Sequence, residues 1–299
     1  MTTPAANPGK RPGANSASVS EPCMTAGAGS FHRSFGTARL ASLGRVARIA
    51  RQELHSLFRK PVIWTSLLLA ALMAGWNFTS LIDALAHSRS PLRPAEAPVV
   101  QLLGPTVWLV GTCTVLMPLL MMNLAAEDRR RLAAAMPVAG AASCHEIVAG
   151  KFLAGWGALM VCLTPWLYFL VVLGLSGAVQ PALDWGAALS GCLGLVVLGS
   201  TFTAIGVLSS APQRNPLSAG AWTFAGMLGV VVFSVLPRVL AFRQVREPIV
   251  RASELAACWA LQDEFSRGLI APRAIVAQLS ISVVLLALAV TVGTNRDDC

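Results

Sequence analysis

The sequence predicts an all-α membrane protein: six transmembrane helices preceded by a basic amphipathic interfacial helix. Three observations carry that expectation. Of the 299 residues, 55% are apolar and only 12% charged, about half the roughly 25% charged share of soluble domains. Mean hydropathy is +0.64. Six stretches contain no Asp, Glu, Lys or Arg: Val62 to Ile82, Leu102 to Leu124, Phe152 to Leu175, Trp185 to Leu208, Leu217 to Leu236 and Ala274 to Gly293. All 23 basic and 14 acidic residues lie outside them. Each stretch meets the roughly 20-residue length of a helix crossing about 30 Å of hydrocarbon. Lipid leaves backbone groups no outside partner, and the runs are too long for barrel strands, so helices are required.

In chain order, residues 1–37 are rich in Ala, Gly, Pro, Ser and Thr, with no aromatic before Phe31, a composition that predicts a disordered cytosolic tail. Over 38–60 the pattern changes. Leu40, Leu43, Ala47, Ala50, Leu54, Leu57 and Phe58 recur at helical spacing, with Arg39, Arg45, Arg48, Arg51 and Arg59 between them. That alternation predicts an amphipathic helix at the membrane surface. The remainder, 61–299, is the six-helix domain.

Orientation follows from counting positive charge. With the N-terminus cytosolic, eleven Lys and Arg flank the spans on that side, in Arg45 to Lys60, Arg129 to Arg131, Lys151, Arg214 and Arg296. Eight fall on the other side, six of them between Arg238 and Arg273. In that last segment Leu255, Ala256, Trp259 and Ala260 predict a short amphipathic helix lying back on the membrane. The net charge of +9 points to anionic phospholipid rather than nucleic acid, since no folded basic domain is present to hold a nucleic acid.

The residues exclude several chemistries. The chain has no H-E-x-x-H or G-x-S-x-G motif and no intramembrane Asp pair, so an intramembrane protease or lipase has no machinery and no catalysis is expected. Uncharged spans argue against ion-coupled transport, which binds and releases its ion at an ionisable group within the bilayer. Asn77, Asn123, Thr201 and Thr203 are expected to hydrogen-bond between helices. Gly150-Lys151 is followed by Phe152 in place of Ser or Thr, so no phosphate cradle forms there. The seven cysteines and four histidines are scattered without a ligand spacing; the cysteines read as apolar fillers or free thiols. No metal or cofactor is expected on this chain.

The connection Ala125 to Lys151 is the most organised stretch outside the spans. It opens with Glu127-Asp128-Arg129-Arg130-Arg131, breaks between Pro137 and Gly140, and resumes at Ser143-x-x-Glu146. That last motif is a capping box, which starts a helix running through Lys151 into the membrane. A charged opening, a break and a capped helix make a docking knuckle.

This connection resembles that of ABC-2 type permeases, in the branch of the gliding-motility and nitrous-oxide-reductase-maturation permeases. Glu127-Asp128-Arg129-Arg130 matches the opening of the family's loop, and Ser143, Glu146, Ile147, Val148, Gly150, Lys151 and Phe152 match its close at the same separation. Arg51-x-Glu53-Leu54 with Phe58-Arg59-Lys60-Pro61 is similar to the family's entry to its first span. Ala204-Ile205-Gly206 with Ser209-Ser210 and Asn215 is similar to its fourth-span exit, and Phe265 to Ile270 to the element before its last span. One segment departs: Leu132-Ala133-Ala134-Ala135 stands where relatives carry Gly-Thr-x-Glu, and Pro137 comes one helical turn early. The missing Glu removes a charge-assisted hydrogen bond worth about 1.5–3 kcal/mol.

The resemblance implies a permease subunit that moves a substrate using ATP and Mg bound by a separate cytosolic ATPase, present in two copies. It also implies a second permease chain, the same or a sister, in a bacterial inner membrane. Glu127, Asp128, Arg129, Arg130, Glu146 and Lys151 would form the ATPase-coupling loop, the helix over 38–60 would brace it, and the segment before the last span would form a lid. The alternative is a non-transporting scaffold or anchor in a motility or maturation complex. Ala187, Gly191, Gly194, Gly199, Thr203 and Gly206, at near-helical spacing, could serve a dimer seam or packing within one chain.

Overall fold

The computed structural model describes residues 44–87, 98–134, 143–176, 184–213, 215–240 and 258–294. The tail over 1–37, the first residues of the amphipathic helix and the Pro137 to Gly140 break lie outside them. Among the described residues there is no strand. The helices are α1 over 44–58, α2 Pro61–His87, α3 Pro98–Leu103, α4 Val107–Ala134, α5 Cys144–Cys162, α6 Thr164–Leu175, α7 Trp185–Ser210, α8 Pro216–Leu240, α9 Cys258–Ser266 and α10 Pro272–Thr294.

Six spans are long and apolar enough to cross a bilayer: Pro61–Ala86, Pro98–Ala126, Cys144–Leu175, Trp185–Ser210, Pro216–Phe233 and Ile275–Thr294. Each contains one of the six uncharged stretches or most of it. Two are built from paired helices, and proline chemistry explains both breaks. Gly104-Pro105 separates α3 from α4; Thr106 restarts the helix by accepting the Leu109 N–H on Oγ1 at 3.3 Å. Pro165 has no N–H to give the Val161 carbonyl, so the Thr164 hydroxyl takes its place at 2.7 Å, and the chain continues as α6. The helix α4 outruns the sequence expectation. It carries through Glu127 to Arg131 and ends at Ala134, so only 135–143 separate it from α5.

The centre of the bundle is α7. In its most apolar window 72% is buried, against 22% in the spans of α8 and α10. Asp184 caps its start, Oδ1 accepting the Gly186 and Ala187 N–H groups at 2.8 and 3.3 Å. Its glycines admit neighbours at close range. A Cβ on Gly191 would lie 3.0 Å from Leu103, on Gly194 2.8 Å from the Phe265 Cβ, and on Gly206 2.8 Å from Met121; Gly199 receives Met160. Ala187 meets the turn at Gly268, and Thr203 faces Gly155. All six small residues are therefore engaged by packing within one chain, the second of the two uses open to them.

The segment before the last span differs from its expectation. The helix α9 is packed into the bundle against α3 and α7. Trp259, Gln262, Phe265 and Ser266 are all buried; the Trp259 ring lies 5.1 Å from that of Phe202. Phe202 is seventeen residues past Trp185, about 25 Å along α7 at 1.5 Å per residue, so α9 reaches deep into the bundle. Its polar groups enter only partly paired, since Trp259 Nε1 and Gln262 Oε1 have no hydrogen-bond partner among the described residues. Gln262 Nε2 donates to the Leu103 carbonyl at 2.8 Å and to that of Gly191 at 3.3 Å, and Ser190 donates to the Phe265 carbonyl. The α3–α4 break leaves the Leu103 carbonyl without a helical successor, which is what gives Gln262 an acceptor at this depth. Gly268, at φ +84°, then turns the chain toward α10.

Candidate functional site

The helix pair α5–α6 runs 32 residues from Cys144 to Leu175, about 48 Å if straight, well beyond the roughly 30 Å of a hydrocarbon core. Its surplus is at the start, where His145, Glu146 and Lys151 precede the uncharged stretch beginning at Phe152. The capping box read in the sequence is present there: the Glu146 carboxylate accepts the Ser143 N–H at 3.3 Å, so the first turn of α5 is closed from within.

Glu146 is also joined to a different helix. Arg45, at the start of α1, grips its carboxylate with Nε at 3.0 and 3.1 Å from the two oxygens and Nη2 at 2.6 Å from Oε1. The fork is bidentate, the strongest geometry for such a pair. Glu146 is 7% exposed, whereas the Arg45 side chain is 48% exposed. Hydrogen bonding to Glu146, then its negative charge, push the Arg45 guanidinium above the usual arginine range, and its charge is secure at any physiological pH. Glu146 thus ends two tasks on one carboxylate: it starts its own helix and holds another.

Below that clamp α1 is seated lengthwise on α5. A Cβ on Gly150 would lie 2.5 Å from Ile49 Cγ2 and 3.1 Å from Ile49 Cβ, and one on Gly157 would meet Leu54 at 3.7 Å. From Arg45 to Leu54 along α1, and from Glu146 to Gly157 along α5, the two helices keep company for about 15 Å. Glu53 and Leu57 are buried on the inner side, while Arg48, Arg51, Gln52, His55 and Arg59 are exposed on the outer. The far side of α5 leads inward, since Gly155 receives Met121 and Thr203 and Met160 reaches Gly199. A displacement of the α1–α5 pair therefore presses directly on α4 and on the central α7.

The residues expected in the coupling loop distribute unequally. Glu127, Asp128, Arg129 and Arg130 fall in the last two turns of α4, and their side chains lie outside the described residues. Lys151 is half-buried on α5, one turn beyond Ile147. Glu146 is in a defined contact between elements, and the partner that completes it, Arg45, stood in the sequence as one arginine of a basic stripe. The signals that single it out are the free second oxygen of a capping-box Glu and a glycine one turn later, where a neighbouring backbone can approach.

Several polar residues inside the spans join helices. Asn77 donates to the Gln101 and Leu102 carbonyls at 3.3 and 3.4 Å, tying α2 to α3. Thr201 and Ser200 meet Ser282 of α10 at 3.2 and 3.4 Å. Asn123 and Thr203 instead bond back to their own helices, at Leu119 and Gly199, a local use that the expectation of interhelical bonds did not include. Cys113, Cys162 and Cys192 are free thiols, but Cys144 is disulfide-bonded, contrary to the expectation for it. Among the described residues no three His, Cys, Asp or Glu converge as metal ligands.

Compared with known proteins, the chain matches no family model and no curated protein.

Proposed function

We propose that this chain is the permease subunit of an ATP-binding-cassette transporter of the ABC-2 class, moving its substrate with ATP hydrolysed on a separate subunit. The observation that carries the reading is the Arg45–Glu146 fork at the head of two helices packed lengthwise. A bundle whose six apolar stretches hold no charged residue has no ion site within them to power it, so in this reading work arrives from outside. The charged end of α4 and the capped start of α5, only nine residues apart along 135–143, offer the place to receive it. The clamp makes α1 and α5 move together, and the Gly155 and Gly199 contacts pass that motion to α7.

In this reading Glu127, Asp128, Arg129, Arg130 and Lys151 face the ATPase, while Glu146 acts one step behind them by keeping α1 seated. Two ATPase copies, each carrying ATP and Mg, serve two permease chains, the same or sister, in a bacterial inner membrane with the N-terminus in the cytosol. Replacing both Arg129 and Arg130 by Glu is expected to abolish co-purification with the ATPase, and unchanged binding would remove the connection from the coupling path. Stimulation of ATP hydrolysis by the reconstituted chain separates a transporter from a scaffold, for which hydrolysis would not change.

A further inference from the structure

We propose that the outer face of α1 is a binding site for the headgroup of an anionic phospholipid. A groove of about 520 Å³ is lined there by Arg48, Arg51, Gln52, Leu54, His55 and Phe58. One wall offers guanidinium and imidazole donors and the other offers apolar side chains, the combination a phosphodiester and its first acyl carbons require.

Depth supports the assignment. Trp64, 60% exposed, donates its indole N–H to the Phe58 carbonyl at 3.3 Å. It begins the exposed stripe Trp64, Leu68, Leu72 and Trp76 on α2, which presents to lipid. A tryptophan at the end of such a stripe marks the level where hydrocarbon meets headgroups. The groove ends at Phe58 and extends away from that level along α1, so Arg48 and Arg51 stand among the headgroups.

Charge supports it as well. No carboxylate of the described residues pairs with Arg48, Arg51 or His55. The single acid of α1, Glu53, is buried, and Glu146 is held by Arg45. Residues 1–43 carry one acid, Glu21, against Lys10, Arg11, Arg33 and Arg39, so the preceding chain adds to the positive charge of the face. A leaflet with negative lipids can. The site is independent of the transporter reading and would serve a scaffold equally. Because the same helix carries the Arg45 clamp, lipid occupancy would hold α1 in its seat on α5.

The test is native mass spectrometry of the full chain extracted from vesicles holding equal parts phosphatidylglycerol and phosphatidylcholine. The wild type is expected to retain phosphatidylglycerol preferentially. Arg48→Gln with Arg51→Gln should reduce that enrichment by a factor of about five for each charge removed, with helicity unchanged because both side chains are exposed. Arg273→Gln, at the other end of the bundle, should leave it intact. Equal retention in the double variant, or an equal loss in the Arg273 control, would overturn the proposal. So would displacement of the lipid by inorganic phosphate, which marks a free-anion site. A double variant that keeps its phosphatidylglycerol but loses its ATPase would reassign the face to a protein.

Discussion

At Gly150 and Glu146 two helices are joined by opposite means, close approach and a charged fork, one turn apart. The glycine makes a direct prediction. Gly150→Ala puts a methyl 2.5 Å from Ile49 Cγ2 and 3.1 Å from a β-branched Cβ that has little room to rotate away. The variant should lose about 1–3 kcal/mol, the usual cost of overpacking, read as a lower thermal midpoint in detergent; Ile49→Ala in the same chain should restore most of it. The fork predicts a different pattern. Arg45→Glu should unseat α1, and combining it with Glu146→Arg should reseat it, as reported by cross-linking between cysteines placed at Ile49 and Lys151. Ser143-x-x-Glu146 was legible in the sequence because a capping box is a local motif. Its second role was not, because Arg45 stands 101 residues away and nothing local distinguishes it from Arg48 or Arg51.

Among the elements, α9 is the one whose environment sequence patterning missed. Its composition, with Asp263, Glu264 and Gln262 beside Trp259 and Phe265, reads as a half-polar surface helix, and the count of charges is right. The inner side is different: Gln262 finds two carbonyls, one freed by the α3–α4 break, and Gly194 of α7 makes space for Phe265. Such holes arise only when three separate segments meet, which periodicity within one segment cannot reveal. Truncation by Gln262→Ala strands the Leu103 carbonyl in a dry interior and should cost about 1–3 kcal/mol. Gly194→Ala, which meets the Phe265 Cβ at 2.8 Å, should displace the helix itself. Both effects are measurable as increased labelling of a cysteine placed at Ser266, buried in the wild type; unchanged labelling in both would remove α9 from the interior. The apolar stretches, by contrast, were readable to within a few residues except at the charged start of α5, because exclusion of charge from hydrocarbon is a property of composition alone.

For the whole molecule, six crossings require α1 and the end of α10 to lie on the same side of the membrane, with the start of α7 opposite. Cysteines at Gly44 and Thr294 should therefore be labelled from one face and a cysteine at Ser176 from the other; labelling of Gly44 and Thr294 from opposite faces would mean an odd number of spans. If the proposed permease reading holds, the α1–α5 pair receives the motive force that the uncharged stretches cannot supply, and α7 distributes it through its glycine contacts. The most direct test reconstitutes the chain in vesicles with the ATPase proposed as its partner and measures hydrolysis for the wild type, Arg45→Glu, Glu146→Arg and the double exchange. Stimulation should be lost in each single variant and recovered in part in the double, where Glu146→Arg restores the ion pair but leaves the capping box of α5 open. Stimulation that survives either single reversal, or uphill solute movement by the chain without any ATPase, would contradict the account.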